Sequence, residues 1–350
     1  MEPGHPAGRA RAEGGPTVRP DLAVDLGTAR TLVAVPGRGV VVDEPTIAAV
    51  DLGRNRLLAF GTEALGLRGR CAGEVAIVRP VHHGQLFDLD LTAAVAGELL
   101  RRGRVSALGH PTVLCCASGA ATSVQRRALD RAFKKAGAGS VRFVEQQVAV
   151  ALGSGLRIEE PVASMVVDVG AGTTEIGVLA LGGLVTHASV ALGGGDFDEA
   201  IRRLCARDFE LAIDAATAEG IKYAIGSAWV EEDDKVEVRG RDVATGIVRS
   251  VVITRTEVAD AIAPRVERIL AAATFCITSS PPDLANDLLN RGLYLSGGGA
   301  LLTGFAQRLA TATGIPVHLV EDPERCAVSG AALCMATMRH TAESVSRRRR

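Results

Sequence analysis

The chain has 350 residues, 47% of them hydrophobic and 3% aromatic, with a formal net charge of −1. That length supports large cores and more than one domain. The near-neutral balance and the scarcity of aromatics exclude bulk attraction to nucleic acid and stacking platforms for single strands, and no run of about eighteen apolar residues is present to span a membrane.

Residues 1–20 are rich in Gly, Pro and Arg without an apolar stretch, and read as a disordered arm rather than a signal peptide. From Asp21 the chain reads as successive short strands at 22–25, 31–35, 40–42 and 46–50, punctuated by Gly and charged residues. A strand at 57–60 and a short helix at 62–66 follow in a mixed stretch. Residues 91–102 have helical spacing and end in arginines, which suit a helix C-terminus. Next come a buried strand at 112–116, a basic amphipathic helix at 121–136, a strand at 141–144 and a helix over 146–153. The second half opens with a strand at 163–169 and two strands flanking the Gly182-Gly183 turn. Helices at 198–209 and 217–228, strands at 233–240 and 248–253, and a long helix at 256–274 follow. The last elements are a strand at 293–295, a helix at 301–313, a strand at 317–320 and a helix at 330–338. The pattern predicts an α/β protein whose halves share a βββαβαβα core.

Seven cysteines (Cys71, Cys115, Cys116, Cys205, Cys276, Cys326, Cys334) give an odd count with no Cys-x-x-Cys spacing. Several sit in apolar runs, so they read as buried reduced thiols rather than disulfides or metal ligands. His82-His83 lies in a turn-like stretch and reads as solvated. Arg347-Arg348-Arg349-Arg350 closes the chain. It is a solvated tail or a patch drawn to anionic lipid, at about 1 kcal/mol per charge near a surface.

One motif occurs twice. Asp25-Leu26-Gly27-Thr28-Ala29-Arg30-Thr31 and Asp168-Val169-Gly170-Ala171-Gly172-Thr173-Thr174 both read Asp-x-Gly-x-x-x-Thr. Each follows one apolar run and precedes another, giving strand, tight turn, strand once in each half. A Gly/Thr-rich turn exposes backbone N–H groups and hydroxyls that converge on phosphate oxygens without a lysine. No Gly-x-x-x-x-Gly-Lys is present, and no Gly-x-Gly-x-x-Gly follows a strand, which excludes a P-loop and disfavours a dinucleotide fold. Duplication of a phosphate-type turn points to two facing lobes with a nucleotide between them. Asp25 and Asp168, as facing carboxylates, suit Mg²⁺, which keeps most of its waters. The third element, Gly297-Gly298-Gly299-Ala300 after Leu293-Tyr294-Leu295-Ser296, lets a flat adenine or ribose approach the backbone closely.

Residues 21–35, 166–183 and 292–302 resemble the phosphate 1, phosphate 2 and adenosine motifs of the actin-like ATPase superfamily. Within it the chain is similar to the bacterial MreB/Mbl family over about residues 20 to 340. The likeness extends to Asp43-Glu44-Pro45-Thr46, Ile77-Val78-Arg79-Pro80, Gln125-Arg126-Arg127-Ala128, Phe197-Asp198-Glu199-Ala200-Ile201 and Pro281-Pro282-Asp283-Leu284. The resemblance implies an actin-like ATPase fold of two RNase H-like lobes, each with a smaller subdomain. The layout would be an arm at 1–20, lobe I at 21–153 (small subdomain about 36–76) and lobe II at 154–314 (small subdomain about 190–250). A return to lobe I at 315–340 and a basic tail at 341–350 would complete it.

The resemblance also implies ATP/ADP and Mg²⁺ between the lobes, with slow ATP hydrolysis coupled to polymerisation. The implied setting is the inner face of the plasma membrane, where filaments guide cell-wall synthesis and cell shape. Implied partners are further copies of the chain or an MreB-type paralogue, and membrane proteins of wall elongation. Carried over by residue, Asp25 and Asp168 hold the waters of Mg²⁺, with Gln146 at the position that orients the attacking water. Gly27, Thr28, Ala29, Arg30, Gly170, Gly172, Thr173, Thr174 and Gly194 lie at the phosphates. Glu219 and Lys222, three apart on one helix face, resemble the ribose-contacting pair, and the plain alternative is a surface ion pair between them. Gly297, Gly298, Gly299 and Ala300 line the adenosine pocket.

Several positions depart from the family pattern. Where it has Glu-Glu-Pro, this chain has Glu145-Gln146-Gln147, and glutamine orients water but takes no proton near neutral pH. Arg30 stands where Asn is usual and points either at phosphate or to the outer surface. Ala171 replaces a glycine, which costs roughly 1 kcal/mol if the position requires positive φ. Gly193-Gly194-Gly195-Asp196 stands for Gly-Gly-Asp-Arg, so the usual Asp is shifted or lost. The loop from Arg101 and Arg102 through Arg104, Val105 and Leu108 matches the family's apolar membrane loop in position, and is either a shallow lipid anchor or an ordinary connection. The competing readings are a chaperone or sugar kinase of the same fold, and a nucleotide-binding scaffold or adaptor paralogue with weak hydrolysis and no filament of its own.

Overall fold

The computed structural model describes residues 21–70, 74–82, 84–86, 88–103 and 110–348. The expected arm at 1–20, Cys71, His83, the loop residues Arg104, Val105 and Leu108, and Arg349-Arg350 lie outside the described residues.

The first half runs β1 (Leu22–Leu26), β2 (Arg30–Val35), β3 (Gly39–Pro45), β4 (Ala48–Asp51), β5 (Arg56–Phe60), α1 (Thr62–Gly66), β6 (Val75–Val78), β7 (Val81–His82) and β8 (Gln85–Leu86). It continues with α2 (Leu89–Arg102), β9 (Thr112–Ala117), α3 (Ser123–Lys135), β10 (Ser140–Glu145) and α4 (Gln146–Gly153). The second half runs β11 (Ser164–Val169), β12 (Thr174–Ala180), β13 (Gly183–Val190), α5 (Gly194–Asp208), β14 (Leu211–Ala212), α6 (Ala215–Ile225), β15 (Lys235–Asp242) and β16 (Val248–Thr254). Then come α7 (Arg255–Thr278), α8 (Pro282–Arg291), β17 (Leu293–Ser296), a 3-10 turn (Gly298–Leu301), α9 (Phe305–Thr313), β18 (Val317–Leu319) and α10 (Cys326–Arg348).

Two five-stranded sheets carry the halves, in the orders β10-β9-β1-β2-β3 and β18-β17-β11-β12-β13. The strand senses match as well. The β1–β2–β3 and β11–β12–β13 meanders are antiparallel, and β1–β9–β10 and β11–β17–β18 are parallel. The central strand β11 is buried at every residue, its apolar stretch Met165–Val167 suiting a strand covered on both faces. Helix starts follow local chemistry: Asp88 and Asp214 accept from Leu91 N–H and Thr217 N–H, and Thr122/Gln125 and Thr254/Glu257 form capping boxes. Two small sheets, β5-β4-β6 and β14-β15-β16, stand apart from the large ones.

The halves meet where α4 and α10 cross. One apolar cluster there includes Ala23, Leu114, Ala149, Val328 and Met335, and a second includes Val150, Val166, Leu179 and Ala327. The crossing is close because both helices are glycine where they touch. A Cβ on Gly330 would lie 1.8 Å from Ala149 O, and one on Gly153 would lie 2.1 Å from Cys326 O.

Several features differ from the sequence reading, among them helix starts at Gly194 and Cys326 instead of 198 and 330. β3 stays in the large sheet, so the first small subdomain is narrower than 36–76. β18 still pairs with β17, so the return to the first half begins at α10 and not at residue 315. α10 runs to Arg348, so residues 341–348 are helical rather than a free tail. α8 went unread because Pro281-Pro282 looks like a breaker, whereas Pro282 occupies the first helical turn, where a missing N–H costs nothing. Among the described residues no helix is long and apolar enough to cross a membrane. Arg102 is held by Glu44, Glu98 and Glu63, which removes it from the arginines available to lipid.

The α4–α10 crossing makes a stability prediction. Gly330→Ala overpacks backbone and lowers unfolding free energy by about 2–3 kcal/mol. Gly220→Ala, in open space within α6, raises it by about 0.5–1 kcal/mol. Urea midpoints of the two variants should move in opposite directions.

Candidate functional site

The two Asp-led turns are closed in the same way. Gly27 N–H donates to Arg30 O at 3.0 Å, and Gly170 N–H donates to Thr173 O at 2.9 Å. A Cβ would lie 2.8 Å from Arg30 O at the first glycine and 3.1 Å from Thr173 O at the second. The last threonine of each motif is buried and pins its turn. Thr31 Oγ1 lies 2.8 Å from Thr46 Oγ1, and Thr174 Oγ1 donates to Leu192 O at 2.8 Å. Ala171 has no positive φ, so the alanine there carries no backbone strain.

Between the lobes lies a cleft of about 920 Å³. Asp25, Gly27, Thr28, Ala29, Arg30, Gln146, Asp168, Gly170, Gly172, Thr173, Gly194, Glu219, Lys222, Gly297, Gly298 and Gly299 all line it. Thr174 and Ala300 do not. The first spends its hydroxyl on Leu192, and Ala300 is buried in the core of the second half.

At the cleft floor Gln146 Nε2 donates to Asp168 Oδ2 at 3.1 Å. Burial raises the Asp25 carboxyl to about 7, helped by the charge of Asp168 and opposed by the Gln146 amide. Burial also raises Asp168, against hydrogen bonds from Gln146 and Ser296. Neither carboxylate has an ion-pair partner among the described residues. Two desolvated acids without a cation fit a divalent metal that keeps its waters. The described residues contain no group of three or more His, Cys, Asp or Glu side chains that could hold a metal ion.

The glycine runs have two kinds of neighbour. Gly194 N–H donates to Gly170 O at 2.9 Å and Gly195 N–H to Ala171 O at 2.8 Å, so the N-terminus of α5 seats on the second turn. A Cβ on Gly193 would lie 2.3 Å from Gly170 O. Asp196 accepts from Gly193 N–H at 2.9 Å and is thus committed to capping its own helix. Gly297 has φ of 84°, and Cβ atoms on Gly297 and Gly299 would lie 2.3 Å from Val169 O and 2.4 Å from Val169 Cγ1. Those two are glycine because β11 passes beneath them, whatever else approaches.

Lys222 does not pair with Glu219. Its ammonium lies 2.8 Å from Asp198 Oδ1, an ion pair without aligned hydrogen-bond geometry, and 3.3 Å from Gly194 O. Glu219 accepts instead from Tyr223 Oη at 3.0 Å. Arg30 is exposed and held by Asp43, which also accepts from Arg325 at 2.7 Å. Burial pushes the Asp43 carboxyl up, but bonds from Arg325 and Arg30 outweigh it and hold the group below its usual range. Sequence reasoning gave no role to Arg79, whose Nη1 donates to Thr28 O at 3.2 Å, or to Asp198. Both sat in quoted motifs, but only the fold brings them to the cleft.

A pH dependence follows from Asp25. Between about pH 4 and 7 the native protein holds a proton there that the unfolded chain has released, so this group's contribution falls as pH rises through that window. Asp25→Asn removes the loss. The Tm of the variant should gain on that of the wild type from pH 5 to pH 8 in nucleotide-free, metal-free buffer, and parallel pH profiles would contradict the raised carboxyl.

Residues 19–343 match the family model described as MreB/Mbl protein. The cell shape-determining protein MreB of Escherichia coli (strain K12) is 39% identical over 317 residues, covering 89% of this chain and 91% of that protein. The cell shape-determining protein Mbl of Bacillus subtilis (strain 168) is 34% identical over 320 residues, covering 91% and 96%. The crystal structure of MreB5 of Spiroplasma citri bound to ADP superposes with a TM-score of 0.87 at 28% identity, covering 94% of this chain and 99% of that one. The MamK double helical filament shares the fold, with a TM-score of 0.74 at 19% identity, 91% of this chain and 99% of that one being covered. The fold is actin-like, as the duplicated sheets imply, and the chain belongs to the MreB/Mbl family.

Proposed function

We propose that the chain is a cytoskeletal ATPase of MreB type that binds Mg-ATP between its lobes and assembles into filaments with further copies or a paralogue. In this reading the filaments lie against the inner face of the plasma membrane and help direct wall synthesis and cell shape. The carrying observation is the pair Asp25 and Asp168, the first half-buried and the second buried, facing one cleft and without a cationic partner among the described residues. Support also comes from relatives: MreB5 of Spiroplasma citri has been crystallised bound to ADP and bound to AMPPNP, and MamK forms a double helical filament.

Each residue then has a task. Asp25 and Asp168 hold the waters of Mg²⁺, which when bound offsets phosphate charge. The turns after Gly27 and Gly170 present backbone N–H groups to phosphate oxygens, and Gly194 at the α5 start braces the second turn through its bond to Gly170 O. Glu219 and Lys222 flank the ribose, and Gly298 faces the Glu324 side chain, 3.2 Å from where a Cβ would stand, whereas its neighbours are filled by Val169. Gln146 orients water without accepting its proton, which makes turnover slow. The membrane contact is assigned to the stretch after α2, with Val105 and Leu108 as the apolar residues.

Calorimetry and electron microscopy test the reading together. The wild type should take up Mg-ATP and form filaments, and Asp168→Asn should weaken uptake by about 10-fold or more, a loss of at least ~1.4 kcal/mol. Uptake without filaments would leave a nucleotide-binding scaffold, and no uptake would refute both. In single-turnover ATP cleavage, Gln146→Glu should be faster by about 10-fold because a carboxylate accepts the proton that the amide refuses. Equal rates would remove Gln146 from the account of slow hydrolysis.

A further inference from the structure

Glu175 is a buried carboxylate that the nucleotide reading leaves without a task. It lies on β12 directly opposite Asp168 on β11. The matching register position in the first half, opposite Asp25, is Leu32. The acid is therefore an addition to the duplicated scaffold rather than part of it.

Four donors surround Glu175. Ser118 Oγ donates to Oε1, as does Ser189 Oγ at 2.8 Å. Gly119 N–H donates to Oε2 at 3.1 Å and Gln147 Nε2 at 3.0 Å. An ionised carboxylate accepts about four hydrogen bonds, so none of its acceptor capacity is left for a proton from water. Its position on the cleft wall notwithstanding, it is a strut and not a base.

Gln147 connects this strut to the reacting region. Consecutive glutamines at the start of α4 reach register-paired acids, Gln146 to Asp168 at 3.1 Å and Gln147 to Glu175 at 3.0 Å. The preceding Glu145 is held by Arg126 of α3 at 2.8 Å. Three successive residues thus tie the start of α4 to both lobes. Gln147 is fully buried, and its space is cut from two glycines. A Cβ on Gly177 would lie 2.9 Å from Gln147 Cβ, and one on Gly119 would lie 3.0 Å from its Nε2. Its Oε1 finds no partner, so the amide is held by its donor half alone. The proline of the Glu-Glu-Pro pattern has no side-chain donor and cannot make this bond.

We infer that Glu175 and Gln147 form a positioning pair that sets where the Gln146 amide stands on the cleft floor during ATP cleavage, touching neither nucleotide nor water themselves. The inference rests on the ATPase reading above. The test measures Mg-ATP affinity and the single-turnover cleavage rate of the full chain. Glu175→Gln and Gln147→Leu should each slow cleavage about 10-fold with affinity changed less than about 3-fold, and the double variant should be no slower than the worse single one, because both remove one interaction. Ser118→Ala, which takes one donor from Oε1, should give a milder loss and serves if Glu175→Gln does not fold. Unchanged cleavage in the variants, or affinity and cleavage falling together, overturns the positioning role. A wild type that binds ATP without cleaving it also overturns it while leaving the nucleotide site intact. A wild type that takes up no nucleotide refutes the ATPase reading itself.

Discussion

Two neighbouring acids, Asp168 buried and Asp25 half-buried, with no positive charge beside them set the terms for the whole cleft. Asp25 and Asp168 stand near the ends of β1 and β11, equivalent central strands of two sheets with one topology. Like charges in a poorly polarisable setting repel until a proton or a cation intervenes. Such an arrangement persists only if the surrounding structure is stiff enough to impose it. Stiffness comes from β11, covered on both faces, and from the α4–α10 crossing, where backbone meets backbone with no side chain between. The cleft therefore depends on packing far from its floor.

Much of this was legible in the chain. The doubled Asp-x-Gly-x-x-x-Thr turns could be read because each residue type has a local reason: a glycine pressed against a carbonyl, a threonine to pin the turn, an acid at the strand end. α4 begins and ends where its apolar pattern says, at Gln146 and Gly153. What failed was direction. Thr173 and Thr174 are adjacent and chemically alike, yet the first faces the cleft and the second the core, a choice set by strand alternation and not by composition. The run Gly297–Gly299 signalled close approach correctly, but the approaching body at two of its three positions is Val169 of the same chain. Arg79, Asp198 and Glu175 were illegible as site residues because their importance arises from partners 51, 24 and 57 positions away in sequence.

The departures from the family pattern take on a common shape once the contacts are known. Arg30 is occupied by Asp43, which also takes Arg325 and so fastens β2 and β3 to the start of α10. Asp196 is occupied by its own helix, and Ala171 sits without strain in its turn. Gln146 and Gln147 are occupied by acids of the second half. The altered residues are thus absorbed into local bonding. They modify the chemistry at the cleft floor more than the framework that surrounds it.

The paired turn closures have one more consequence. Because Gly27 and Gly170 fasten their own loops through Arg30 O and Thr173 O, each loop is held closed before anything arrives. The entropy of freezing those loops is lost during folding and not during association. A guest anion would meet a rigid receptor, so its capture should be governed by diffusion into the mouth and shedding of water rather than by loop rearrangement.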